Sequence, residues 1–427
     1  MKILCTPAKS PSASDADLQY SLFGRAEVES MGSAGPTLLE DVKRFGIVPS
    51  GRAWDLLGIA LSVVAADDGY EREKESPDGW TREITLVVSV YDVPFWVSQR
   101  EAIQKMLQFL TGDLWALEFR AGGLLPLPVK AGKRRLSNEN CISLLSGGAD
   151  SLAGAIDLVQ SGKRPLFVSQ VADGDKTHQS YFASRIAGPN HHLQLSHKIS
   201  SPVSQTERSQ RSRSLIFLAF GIVAATSLQA YSGGETITLF VPENGFISLN
   251  VPLTPLRRGS LSTRTTNPFY LKSLQQIITN AGLRVHLENP CQFKTKGELF
   301  RGCGNQSLLK ELVIQSTSCG RFARMNYKHC GRCVPCLIRR AALHSYGLTD
   351  TTTYIYHDLS KNDPDHKRFD DVQAACSAVI LVKNGSLRKW VGGALSSAQL
   401  GDCTQYEALL GRGIQELDAF LTSSGAL

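Results

Sequence analysis

Residues 141–171 read CISLLSGGADSLAGAIDLVQSGKRPLFVSQV, and this stretch constrains the fold more than any other. CISLL is a short apolar run bounded by turn residues, which reads as a buried strand. SGGADS breaks it. LAGAIDLVQSG has helical apolar spacing and stops at Gly162, and PLFVSQV is a second strand. Two strands joined by a helix cannot form a hairpin, so they pair in parallel through a crossover. The pattern continues with a helix at 178–187 (HQSYFASRIA), a strand in HHLQLSH, an apolar helix in SLIFLAFGIVAATSLQA, a strand in TITLFVPENG and a helix over 268–282. The fold class is therefore α/β, with a parallel sheet from Cys141 onward.

The front of the chain has its own α/β signals. Residues 52–66 have helical spacing, 81–96 read as a strand, 98–111 as a helix capped by Ser98, and 114–122 as a strand. Residues 1–50 look irregular. Gly, Pro and basic residues in GGLLPLPVKAGKRRLSNEN suit a linker. We expect an accessory α/β domain over 1–135, a second α/β domain over 136–350 and a helical extension over 351–427. No internal repeat is visible.

The 427 residues are 42% hydrophobic and carry a net charge of +7, which permits a polyanionic partner without requiring one. No secretory signal and no apolar run long enough for a membrane span are seen, so a cytoplasmic protein is expected. Ten cysteines then point to metal ligands or buried thiols, not disulfides.

Four of those cysteines are grouped. In STSCGRFARMNYKHCGRCVPCLIRR, Cys319 is followed after ten residues by Cys330, Cys333 and Cys336 in a C-x₂-C-x₂-C run. Four thiolates make a closed tetrahedral zinc site, and we expect Zn²⁺ here; an iron–sulfur cluster is the rival. Lys328, Arg332, Arg339 and Arg340 would offset the thiolate charge. His329 reads as a packing residue.

SGGADS has two readings. It is either a capped strand-to-helix turn, or a loop that aims backbone N–H groups and the helix dipole at phosphate. Asp150 would repel bare phosphate, so it fits the second reading if it holds Mg²⁺ or a positioned N–H. Neither Walker A nor G-x-G-x-x-G is present.

SGGADS after a buried strand resembles the signature of the PP-loop ATP pyrophosphatases, whose fold is adenine nucleotide alpha hydrolase-like. The resemblance implies that Ser146, Gly147, Gly148, Asp150 and Ser151 cradle the pyrophosphate of ATP. The cysteine block and the arginine-led helix RSLIFLAFGIVAA are similar to those of 7-cyano-7-deazaguanine synthase (QueC), over about residues 140–347. That puts Arg213 near the phosphates, with Ser146 and Asp150 beside it in catalysis. It implies adenylation of 7-carboxy-7-deazaguanine, then attack by an amine.

The synthase's Tyr-Pro-Asp-Cys segment is missing here. ENGFISLNVPL and LSTRTTNPFYL take its place, and Glu243, Asn244, Arg264, Thr265, Thr266 and Asn267 are either readers of a purine-like edge or ordinary loop and cap residues. The larger layout, with FLTGDLW, LSGGADSLAGAI and STRTTNP, resembles the QueC-like proteins of the Qat anti-phage defence systems. This implies a ligase that uses ATP and a deazaguanine-type acid, with a partner protein from the same operon. Three alternatives stay open: nitrile formation with ammonia, tRNA modification through the basic loop TERSQRSR (206–213), and a nucleotide sensor without catalysis. That loop lacks interleaved aromatics, so nucleic acid is not favoured.

Overall fold

A strand needs only four or five residues when both of its faces are covered, and the chain uses such strands twice over. The computed structural model describes residues 1–10, 14–126, 138–171, 174–203, 207, 211–251, 253, 264–360, 371–385, 387–395 and 403–427. The first sheet holds β1 (Lys2–Thr6), β2 (Leu18–Leu22), β3 (Gly32–Ala34), β4 (Glu83–Ser89) and β5 (Leu114–Arg120). The second holds β6 (Cys141–Leu144), β7 (Pro165–Gln170), β8 (His192–Leu195), β10 (Ile237–Phe240) and β11 (Val285–Glu288). Between β8 and β10 in sequence, β9 (Ile199–Ser200) crosses over to join the edge of the first sheet.

The strand orders are β5-β4-β1-β2-β3-β9 and β11-β10-β6-β7-β8. All pairings are parallel except β3 with β9. Counted within each unit, both sheets run fifth, fourth, first, second, third. Helices Gly51–Gly69 and Val93–Thr111 link the later strands of the first unit, as Arg213–Ala225 and Pro268–Asn280 do in the second. The equivalent helices pack in pairs, Gly51–Gly69 on Arg213–Ala225 and Val93–Thr111 on Pro268–Asn280. A repeat is thus present in the topology although none is visible in the sequence. Among the described residues the first unit has no helix between its first and second strands or between its second and third, so the two periodicities do not align.

One apolar core runs through both units, with Trp54, Leu86 and Leu107 from the first and Ile142, Phe220 and Leu274 from the second. The boundary expected at residue 135 divides the chain but not the core. Helix Arg213–Ala225 is apolar all round because it is wedged between its own sheet and helix Gly51–Gly69. Buried Asp67 fixes its start, accepting from Ser212 N at 2.9 Å and Ser212 Oγ at 2.8 Å. Asp67 is itself paired with fully buried Arg82, which also reaches Asp113 at 2.8 Å.

The front of the chain differs from expectation in two places. Residues 1–50 are not irregular, because three short strands sit among their Ser, Gly and Pro residues. The helix expected from Ser98 begins at Val93, where Asp92 caps it by accepting from Phe95 N at 3.3 Å. The helical extension is present as Asp371–Lys383, Leu387–Leu395 and Thr404–Ser423. It packs on helix Val334–Tyr346 around Leu337, Ile338 and Phe246. Residues 127–137 of the expected linker, 206 and 208–210 of the basic loop, 261–263 of LSTRTTNPFYL and 361–370, 386 and 396–402 of the tail lie outside the described residues. Among the described residues no helix is long and apolar enough to cross a membrane.

Candidate functional site

In a doubly wound sheet the ligand crevice opens at the carboxyl ends of the strands where the order reverses. Here that point lies between β6 and β10. After β6 and Leu145 come SGGADS, residues 146–151. Gly147 takes φ +90°, a left-handed conformation that favours glycine, and so turns the chain from strand into helix Ala149–Gln160. Ser146 Oγ accepts from Gly148 N at 3.2 Å and lies 3.0 Å from Ser151 Oγ. Ser151 Oγ also accepts from Ser146 N at 3.2 Å. Gly148 occupies the N-cap without a side-chain acceptor, so the first N–H groups of the helix stay directed at the crevice. Gln179, almost fully buried, supports the loop from below by donating to Ser146 O at 3.1 Å and to Gln170 O at 3.1 Å.

The crevice widens into a cavity of about 1270 Å³. Ser146 and Gly148 form one part of its wall, and Arg213 stands into it from the start of its helix. Arg213 Nε donates to Gln170 Oε1 at 3.4 Å. Burial lowers its pKa, with Asp175 opposing, and a guanidinium remains charged regardless. Asp175, after β7, is the carboxylate facing the loop. Burial raises its pKa, against Thr317 and Arg213. Sequence reasoning missed it because it carries no motif.

Asp150 is placed differently from what the sequence suggests. Its side chain is not part of the cavity wall. It is buried, at 5% exposure, against equally buried Lys296 at 2.8 Å, and it accepts from Asn244 Nδ2 at 3.0 Å. Burial would raise its pKa, but Lys296 and the hydrogen bonds from Glu243 and Asn244 outweigh that and hold it low. Glu243 goes the other way: burial, then the Asp150 charge, push its pKa well above the usual range. Glu243 Oε1 accepts from the same Asn244 Nδ2 at 3.2 Å, so one amide bridges the two carboxyl groups. Lys296 follows the capping residue Thr295, a position whose chemistry only the folded contact reveals.

The candidate base-reading residues separate. Thr265 lines the cavity. Asn244 caps Gly245–Ser248 by accepting from Ile247 N at 3.1 Å, and Asn267 caps Pro268–Asn280 by accepting from Phe269 N at 3.0 Å. Thr266 pairs with Ser248 at 3.0 Å. Arg264 turns to the first unit, donating to Phe109 O at 2.6 Å and stacking on the Phe109 ring. These four serve the scaffold, because each lies next to a helix end whose free backbone groups need partners.

The cysteines do come together. The sulfurs of Cys319, Cys330, Cys333 and Cys336 all lie within 4.8 Å of one another and are buried. Cys319 to Cys333 and Cys330 to Cys336 are each 3.9 Å. A tetrahedron with metal–sulfur bonds of about 2.3 Å has edges of about 3.8 Å, so the four residues fit zinc. Backbone N–H groups of Arg321, Cys330 and Cys333 point at the sulfurs at 3.3–3.4 Å. Arg339 does not serve the thiolates as expected. Fully buried, it donates to Val313 O, Ile314 O, Ser316 O and Ser316 Oγ, and so holds the strand of chain leading to Cys319. Arg340 likewise binds Gly331 O and His357 O. His329 is buried, accepts from Ser318 N at 3.2 Å, and is held near pKa 4, mainly by burial. Thr317 N donates to Gly147 O at 3.0 Å, which ties the cysteine segment to the glycine loop. No protein-family model matches the chain, and no curated protein matches it.

Proposed function

We propose that the protein is an ATP-dependent ligase that adenylates a 7-deazaguanine carboxylate and passes the acyl group to an amine on a partner protein. The observation that carries this reading is one cavity with two unlike ends. The glycine loop, the start of helix Ala149–Gln160 and Arg213 make an anion-binding end, while Phe246, Val251, Val334 and Ile338 make an apolar one. A triphosphate and a flat heterocyclic acid need such a pair of environments side by side.

In this reading the substrate carboxylate oxygen attacks the α-phosphorus, an O–P bond forms, and the bond to pyrophosphate breaks. The N–H groups after Gly148 and the Arg213 guanidinium stabilise the charge gathering on the departing pyrophosphate. An amine then attacks the acyl carbon, a C–N bond forms, AMP leaves, and the amine loses its proton. Magnesium carried by a nucleotide needs one or two carboxylates beside the phosphate oxygens. Asp175 is the residue here to hold it, because Asp150 is committed to Lys296. Zinc in a closed four-thiolate site supplies no reacting position; it would stiffen the cavity wall that includes Cys319 and Cys333.

Arg213→Ala is expected to lower pyrophosphate release on the order of 100-fold with little change in melting temperature, since its side chain stands in the cavity and not in the core. Wild-type rates in the variant would remove Arg213 from the site. The tRNA reading is weakened at the basic loop. Arg211 stacks on Trp80 at 4.2 Å and donates to Thr111 O at 2.8 Å, so it is engaged within the protein.

The test is to mix the protein with ATP, 7-carboxy-7-deazaguanine and the proteins encoded beside it, then measure pyrophosphate and intact masses. Pyrophosphate release with a mass gain on one protein is expected. Free nitrile with no mass gain would assign the ammonia-using reaction instead. No pyrophosphate with this acid would overturn the adenylation reading.

A further inference from the structure

Arg213 is fastened at its backbone and at its side chain, and both lines lead back to the first unit. Asp67 sets the backbone by binding Ser212, the residue before it. Gln170, the last residue of β7 and 4% exposed, sets the side chain. Gln170 Oε1 accepts from Arg213 Nε, and its Nε2 donates to His197 Nδ1 at 2.9 Å. An amide nitrogen does not accept, so the imidazole is held with Nδ1 bare and its proton on Nε2. Burial, then the Arg213 charge, lower the pKa of His197 to about 4, which keeps the ring neutral at neutral pH. His197 follows β8, whose Leu195 pairs with Gln170. The His197 carbonyl accepts at 2.8 Å from Gly35 N, directly after β3, and the chain then enters β9, which pairs with β3. PLFVSQV and HHLQLSH read as plain strands, and nothing in their sequence joins the two residues.

We propose that His197, acting through Gln170, is a positioning residue that aims the Arg213 guanidinium at the pyrophosphate. This deepens the function proposed above and rests on it only for the place of the pyrophosphate. Held by its inner Nε, the guanidinium presents its terminal nitrogens to phosphate oxygens in the forked geometry that suits them. A long side chain left to rotate would lose that aim, and ordering it on binding would cost rotamer entropy. Gln170 supplies the restraint only while its oxygen faces Arg213. A flipped amide would set its N–H groups against the guanidinium, and donors facing donors repel. The bare Nδ1 of His197 decides the orientation, because it accepts from the amide nitrogen and offers nothing to the oxygen. The first unit thereby acts on the anion-binding end through Asp67 at the turn before Arg213 and through β3 at His197.

Calorimetric titration with inorganic pyrophosphate tests this, since it needs neither the acid nor the amine. His197→Leu removes the acceptor and is expected to weaken pyrophosphate about 10-fold, the scale of one hydrogen bond. His197→Asn places an oxygen as many bonds from the backbone as Nδ1 and is expected to bind within about 2-fold of wild type. In an Arg213→Ala background, itself about 30-fold weaker, His197→Leu is expected to add nothing, because its effect travels through Arg213. A residue that only supports the fold would weaken binding equally in both backgrounds, and that result overturns the proposal. So does an undiminished His197→Leu protein, or a wild type that does not bind pyrophosphate. Gln170→Leu carries the same cycle if His197→Leu does not fold: a loss that vanishes with Arg213 is expected, and one that persists without it overturns the relay. Pyrophosphate release from ATP and the acid separates the two levels. The expected affinities without turnover condemn the ligase reading alone, and turnover with equal losses in both backgrounds condemns the role of His197 alone.

Discussion

Asp150→Ala is expected to lower pyrophosphate release, because the start of helix Ala149–Gln160 loses its anchor to Lys296, and also to destabilise the protein by about 3–5 kcal/mol, which is what removing one partner of a buried ion pair costs. Sequence reasoning supports only the first half of that outcome. A carboxylate in a glycine-rich loop contributes little to packing, so its loss should leave the fold nearly intact. The structure reverses the second half, because the Lys296 ammonium is buried, lies 2.8 Å from Asp150 and would be left without its counter-charge. Two further variants divide the effects. Lys296→Met added to Asp150→Ala removes both charges and should recover most of the stability without recovering activity. Asp150→Asn keeps the shape but not the charge and should fall between. Denaturant midpoints and pyrophosphate release measured on the same samples decide it; an Asp150→Ala midpoint equal to wild type would mean the pair is not formed in solution.

Asp150 also marks what could be read in the sequence and what could not. The SGG turn and its place after a strand were legible because glycine conformations and strand–helix alternation are local, and the structure has both. The four cysteines were legible because metal-ligand spacing is local too. Lys296 was not, since it acquires its meaning from Asp150, a residue far from it in the chain. Arg264, Asn244 and Asn267 are the converse case: the sequence left them as base readers or as loop and cap residues, and the folded contacts show the second role. Polar residues at strand and helix ends look like ligand readers, but backbone groups at those ends need partners first. The repeated strand order was invisible for a related reason. Two units can share a topology when only the order of burial is kept, and burial order leaves no residue-by-residue trace.

Cys333→Ser is expected to lose the bound metal and to loosen the chain from residue 313 to the C-terminus, with loss of activity as a consequence. Cys333 belongs to three structures at once. Its sulfur sits 3.9 Å from that of Cys319. Its backbone is the N-cap of helix Val334–Tyr346. That helix carries Arg339, whose hydrogen bonds hold residues 313–316 and so the approach to Thr317, which is bonded to Gly147 of the glycine loop. Metal binding in closed thiolate sites is coupled to folding, with apparent energies of about 10–16 kcal/mol in small zinc peptides, so the effect should exceed that of an ordinary core substitution. The same coupling predicts that chelators or mild acid, which protonates thiolates, reproduce the variant. Elemental analysis identifies the metal, and visible absorbance would expose an iron–sulfur cluster instead. Because the first sheet and its helices share a core with the second unit but hold none of the four clustered cysteines, protection from hydrogen exchange should persist in Gly51–Gly69 while it falls in Val334–Tyr346. A soluble, metal-free and fully active Cys333→Ser protein would show that the cysteines pack without a metal and that the glycine loop holds its shape alone.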